Sequence, residues 1–123
     1  MEHATLSKGE TYHGKLENLM DQYVHVVYAL SRKFPKEEMY GSVSQLRRAA
    51  LSVNLNYLEG YARMKDKVYI NFLEMSYGSL KESKYLLKFA LEEKYIELTE
   101  YSKAKGLAEE IGAMLWGIFD KKK

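Results

Sequence analysis

Between Leu16 and Phe34 the apolar residues Leu16, Leu19, Tyr23, Val26 and Leu30 recur at spacings of three and four. That period lays them along one face of a helix. Phe34-Pro35 should end it, because the residue before a proline is pushed out of the helical region and proline has no amide to donate. Gly41 then reads as a break, with the Ser42 or Ser44 hydroxyl placed to cap a second helix.

The second helix, running to about Gly60, carries two apolar stripes: Val43, Leu46, Ala50, Val53 and Tyr57, and beside them Leu51, Leu55 and Leu58. A face that wide predicts more neighbours than the other helices have, and so a central place in the fold. Tyr61 to Lys67 reads as a basic connection, with Asp66 as the N-cap of helix three. Ile70, Leu73, Tyr77, Leu80, Leu87 and Leu91 form the seam of helix three, and Ser76, Ser79, Ser83 and Ala90 lie next to it. Small residues in a row let a partner helix come close, although they would look the same on a solvent face. Glu92 to Lys94 closes helix three, and after a short link Tyr101, Ala104, Ala108, Ile111, Leu115 and Ile118 define helix four.

Links this short force consecutive helices antiparallel. The fold class that follows is all-α, an up-down-up-down antiparallel four-helix bundle. It forms one domain over 14–120, with a disordered N-terminal segment at 1–13 and a basic tail at 121–123. The tail lysines suit the negative end of the helix macrodipole.

Composition removes several classes of function. At 46% hydrophobic and 29% charged, the chain is too apolar for disorder and too charged for a membrane protein. Without a long uncharged apolar run or an apolar segment near Met1, the expected location is the cytoplasm. The absence of cysteine removes disulfides, thiol nucleophiles and thiolate metal sites together. None of His3, His13 and His25 is read as having a carboxylate at ligand spacing, and no phosphate-cradling glycine motif or serine elbow is present. The reading is therefore no catalytic residue, no metal and no cofactor, and so not an enzyme.

Charge is uneven along the chain. From Ser31 to Lys67 eight basic residues face four acidic ones, a local excess of +4 in a chain whose total is +2. Arg47, Arg48, Arg63, Lys65 and Lys67 are the candidate phosphate contacts, with solvated surface charge as the other explanation. Arg47 and Arg48 point about 100° apart on a helix, so one is expected in a buried ion pair and the other outside. Asn54, Asn56 and Glu59 interrupt the apolar face of helix two. They read as a structural polar network, with Glu59 paired to Arg63 or to an arginine across the bundle and the asparagines bonding a neighbouring helix. A buried Glu59 ion pair would cost about 3 to 5 kcal/mol to break. The eleven tyrosines are spread over all the helices rather than forming one stacking platform. Apolar surface wider than one core absorbs implies subunit contacts.

Phe34-Pro-Lys-Glu-Glu-Met-Tyr-Gly41, Ser44-Gln-Leu-Arg-Arg-Ala-Ala50, Asn56-Tyr-Leu-Glu-Gly60 and Gly78-Ser-Leu-Lys-Glu82 together resemble the bacterial four-helix-bundle proteins encoded in intervening sequences of 23S ribosomal RNA genes. The likeness covers roughly Leu16 to Phe119. It implies a non-enzymatic bundle that assembles as a ring-shaped homopentamer with a connection to RNA or the ribosome. The accessory variability proteins of diversity-generating retroelements, basic pentamers that bind a reverse transcriptase and nucleic acid, are similar too. Where members of the intervening-sequence family commonly have a proline in helix two, Ser52-Val-Asn-Leu-Asn56 has none, which predicts a straighter helix. Two functions follow as expectations: an RNA-associated pentamer using the basic residues above, or a scaffold that docks a protein such as a reverse transcriptase.

Overall fold

The computed structural model describes residues 11–122. The expected disorder of the first residues, and His3, lie outside that range up to position 10. Four helices fill the rest: α1 (Tyr12–Ser31), α2 (Ser42–Tyr61), α3 (Asp66–Glu92) and α4 (Leu98–Lys122). Helix α1 begins inside the segment expected to be disordered, because the Thr11 hydroxyl accepts from the Gly14 amide at 2.9 Å and caps it. Helix α4 continues through Lys121 and Lys122.

The caps differ from those read in the sequence. Gly41 precedes α2 without a side-chain cap, and the carboxylate of Glu38, in a short 3-10 turn at Lys36–Glu38, takes the Ser42 amide and hydroxyl instead. Asp66 is the first residue of α3 rather than its cap; Lys65 holds the capping position in extended backbone. The Asp66 carboxylate still lies at the positive end of the helix dipole. At the far end of α3, Lys94 adopts φ 65°, which lets the Tyr95 amide return to the Ala90 carbonyl at 2.8 Å and reverses the chain toward α4.

Backbone neighbours run round a square, α1 against α2, α2 against α3, α3 against α4 and α4 against α1. Helix α2 therefore has two neighbours like every other helix, and its expected central place is not found. Its first stripe fills the core: Val43, Leu46, Ala50, Val53 and Tyr57 are buried. Leu51, Leu55 and Leu58 stay exposed, Leu55 at 61%. What distinguishes α2 is how closely α3 approaches it. The Ser76 hydroxyl donates to the Val53 carbonyl at 2.7 Å, and a Cβ on Gly60 would come within 2.6 Å of Phe72 Cβ. Ser76, Ser83 and Ala90 are all fully buried, so most of the small-residue row serves close packing. Across the diagonal, Tyr23 meets Ser83 at 2.7 Å. Ser83 gives its one proton to the Leu80 carbonyl, so the tyrosine donates.

Candidate nucleic-acid interface

The antiparallel topology brings the start of α1, the end of α2, the start of α3 and the end of α4 to one end of the bundle. Arg63 and Lys65 lie exposed on the α2 to α3 link there, and Lys67 is exposed in the first turn of α3. The fold adds Lys121 and Lys122 from α4, also exposed, which the sequence alone assigned to the helix dipole. Lys122 Nζ reaches Asp66 Oδ1 at 3.1 Å and stands 5.6 Å from the centre of the Tyr69 ring. Beside them Met64 is 97% exposed at the tip of the link.

Arg47 and Arg48 do not join this cluster. They lie sixteen and fifteen positions before Arg63, about 24 Å away along the helix axis at 1.5 Å per residue. Arg48 is exposed. Arg47 is half-buried, and its partner is not the expected carboxylate: its Nε donates to the Ser31 hydroxyl at 2.8 Å while the guanidinium lies 4.8 Å from the centre of the Tyr28 ring. A hydroxyl and an aromatic face suffice because an arginine is weakly hydrated and stacks readily.

Asn54, Asn56 and Glu59 do not form one network. Asn56 Nδ2 donates to the Ser52 carbonyl of its own helix at 2.9 Å. Asn54 Oδ1 is buried without a hydrogen-bond partner. Glu59 lies half-exposed and pairs with Arg63 one turn on, so its loss does not strand a buried charge. The surface pair also holds Arg63, whose guanidinium sits 5.5 Å from the centre of the Phe72 ring.

An aromatic and histidine cluster supports this end, and sequence reasoning missed it because its members come from three helices. His13 stacks on Tyr61 with ring centroids 3.6 Å apart, and its Nδ1 lies 2.6 Å from the Tyr57 hydroxyl. Tyr57 is fully buried, and burial together with its coupling to Tyr69 raises its hydroxyl pKa strongly. Burial also raises Tyr69. His13 Nε2 faces Glu17 at 3.4 Å and His25 Nε2 faces Asp21 at 3.6 Å. Both carboxylates stand one helical turn from their histidine, a spacing the sequence reading overlooked. Among the described residues no group of three or more His, Cys, Asp or Glu could hold a metal ion. No helix there is long and apolar enough to cross a membrane.

These features define a class: an all-α four-helix bundle with one basic end and an apolar stripe left uncovered along α2. The profile of the 23S rRNA-intervening sequence protein family matches residues 16–117, and the chain belongs to that family. A crystal structure of a protein with unknown function from the S23 ribosomal protein family of Bacteroides thetaiotaomicron is similar, with a TM-score of 0.78 and 18% sequence identity. The likeness covers 85% of this chain and 97% of that one. At that identity it shows the fold. No curated protein matches the chain.

Proposed function

We infer that this protein is a non-enzymatic, self-associating bundle that contacts RNA or other nucleic acid through its basic end. The observation that carries the reading is the gathering of Arg63, Lys65, Lys67, Lys121 and Lys122 from three elements onto one exposed end. Phosphate contacts need exposed cations, here with Arg63 and Lys122 exchanging their surface partners Glu59 and Asp66 for phosphate, and a weak local field becomes useful when several copies present it together. The family name, which ties its members to 23S ribosomal RNA genes, favours RNA. The uncovered Leu51, Leu55 and Leu58 favour assembly with further copies, a ring of five being the arrangement the family resemblance implies. An accessory role toward a reverse transcriptase would draw on the same stripe, docking a protein there instead.

The test is a binding titration against structured RNA at about 50 mM and then about 200 mM salt. Each neutralised phosphate contributes a log-log slope near −0.9 for duplex and about −0.7 for single strands. Replacing Arg63, Lys65 and Lys67 together with alanine should flatten the slope and weaken all sequences alike, since phosphate contacts carry no base information. A parent protein that binds nothing at the lower salt overturns the nucleic-acid reading. Light scattering that returns a monomer of 14.3 kDa overturns self-association.

A further inference from the structure

The face between α3 and α4 carries a row of three aromatic rings, of which Trp116 reaches into solvent while Tyr77 and Phe119 are partly buried against the core. Phe119 and Trp116 are stacked with centroids 5.2 Å apart, and Trp116 stands 5.9 Å from Tyr77. Trp116 is 50% exposed. The rings border an open groove of about 330 Å³, whose α3 wall includes Leu73, Glu74 and Gly78. The space over Gly78 is open, since a Cβ there would meet nothing within 4 Å.

Both ends of the row are basic. Phe119 lies one turn from Lys122, about 4 Å along the axis from the basic end already described. Beyond Tyr77 the groove continues into a second cavity of about 360 Å³ lined by Lys81 and Lys84. Lys81 Nζ is 5.4 Å from the centre of the Tyr77 ring, and Lys84 Nζ is 3.9 Å from Glu109. Lys81 is fifteen residues into α3, about 22 Å from the basic end. Positive charge, a row of rings with exposed Trp116 at its middle, and positive charge again is the order in which a short single strand presents phosphates and unpaired bases.

We propose that the Tyr77, Trp116 and Phe119 row is a stacking site for the unpaired bases of single-stranded RNA, with flanking phosphates held by Lys81 and Lys84 and by the basic end. The proposal rests on the nucleic-acid reading and adds the strandedness of the ligand and the path it takes. Stacking tolerates any base because every base has a flat face. Glu74 lies where base edges rather than phosphates would pass, and its carboxylate suits an exocyclic amino group. A second copy's apolar stripe would fill the groove but leave the lysines at its two ends unused.

Trp116 is the only tryptophan of the chain, so its fluorescence reports the groove. Titrating an oligoribonucleotide of about six nucleotides into the full chain should quench it to saturation, and the same strand annealed to its complement should not. Trp116→Ala should weaken binding of the labelled single strand about tenfold by fluorescence anisotropy. Trp116→Phe keeps a stacking ring and should stay within a few-fold of the parent, which separates lost stacking from lost folding. Lys81→Ala with Lys84→Ala should weaken the same strand and flatten its salt dependence. If Trp116→Ala binds like the parent while the Arg63, Lys65 and Lys67 triple variant does not, the groove is overturned and the basic end stands. If the parent binds no nucleic acid, both fall. If Trp116→Ala lowers the oligomeric mass without changing affinity for the strand, the groove belongs to a second copy and the proposal is overturned.

Discussion

The two apolar faces of α2 are built from the same kinds of residue at the same helical spacing and have opposite fates. Leu46, Val53 and Tyr57 have no solvent exposure, whereas Leu51, Leu55 and Leu58 have 38%, 61% and 41%. The buried face is where α3 comes closest, at Gly60 and Ser76. The open face is only partly covered, with Leu58 bordering a cavity against Glu17, Asn18, Met20 and Asp21 of α1. The difference shows that hydrophobicity alone did not select the core face. Close backbone approach did, because dispersion and area burial both rise steeply as two helices meet without intervening side chains.

The sharpest way to break this comparison is to truncate one leucine on each face. Leu46→Ala should cost about 2 to 5 kcal/mol in a denaturant melt, the range for a fully buried leucine that leaves a cavity. Leu55→Ala should move the same melt by less than about 0.5 kcal/mol at concentrations where the chain is monomeric. Equal costs would mean that Leu55 is buried against something even then, and the contrast between the faces would vanish.

Next in size is the close approach itself. Gly60→Ala places a methyl 2.6 Å from Phe72 Cβ and 3.1 Å from the Tyr69 ring, so it should destabilise by about 1 to 3 kcal/mol through overpacking. Gly106→Ala, where a Cβ meets nothing within 4 Å, should stabilise by about 0.5 to 1 kcal/mol through helix propensity. A neutral Gly60→Ala would show that α2 and α3 can separate without cost.

Alkaline pH probes the buried side by charge. Burial pushes the Tyr23 hydroxyl up to about 12, and Tyr57 and Tyr69 are raised in the same direction. A tyrosine raised above its unfolded value keeps its proton better in the folded state. Its contribution is therefore complete below about pH 10 and declines as pH rises toward 12. At about 1.4 kcal/mol per pH unit, Tyr23 alone should account for roughly 2 to 3 kcal/mol of lost stability over that window. Tyr23→Phe should make the decline shallower in melts taken across the window. A flat profile would place solvent at the Tyr23 hydroxyl.

The smallest effect is expected on the solvent side. Glu59→Ala breaks a half-exposed pair with Arg63 and should change stability by no more than about 0.5 kcal/mol. A loss of several kcal/mol would restore the buried ion pair that the sequence suggested.

Much of the fold was legible in the spacing of apolar residues. The first stripe of α2 and the seams of α1 and α4 name most of the buried core, because a period of 3.6 leaves little choice about which residues share a helical face. Caps were less legible. Ser42 and Asp66 both have the chemistry of a cap, yet Glu38 reaches Ser42 from one turn before and Asp66 stands one residue inside its helix. A cap depends on the exact turn of the chain, which composition does not specify.

The candidate site divides in the same way. The basic link at Arg63, Lys65 and Lys67 is visible in the sequence because its residues are nearly consecutive. Its extension by Lys121 and Lys122 and its support by His13, Tyr57, Tyr61 and Tyr69 are not, since each comes from a different part of the chain. By itself the sequence determined four amphipathic helices, their order, their antiparallel course and the location of the basic link. Only the tertiary structure decided which stripe of α2 is covered, which arginine is half-buried and which aromatic rings border the groove between α3 and α4. The reason is physical: periodicity fixes relations within one helix, whereas burial depends on how closely two helices approach, and that is set jointly by residues far apart in the chain.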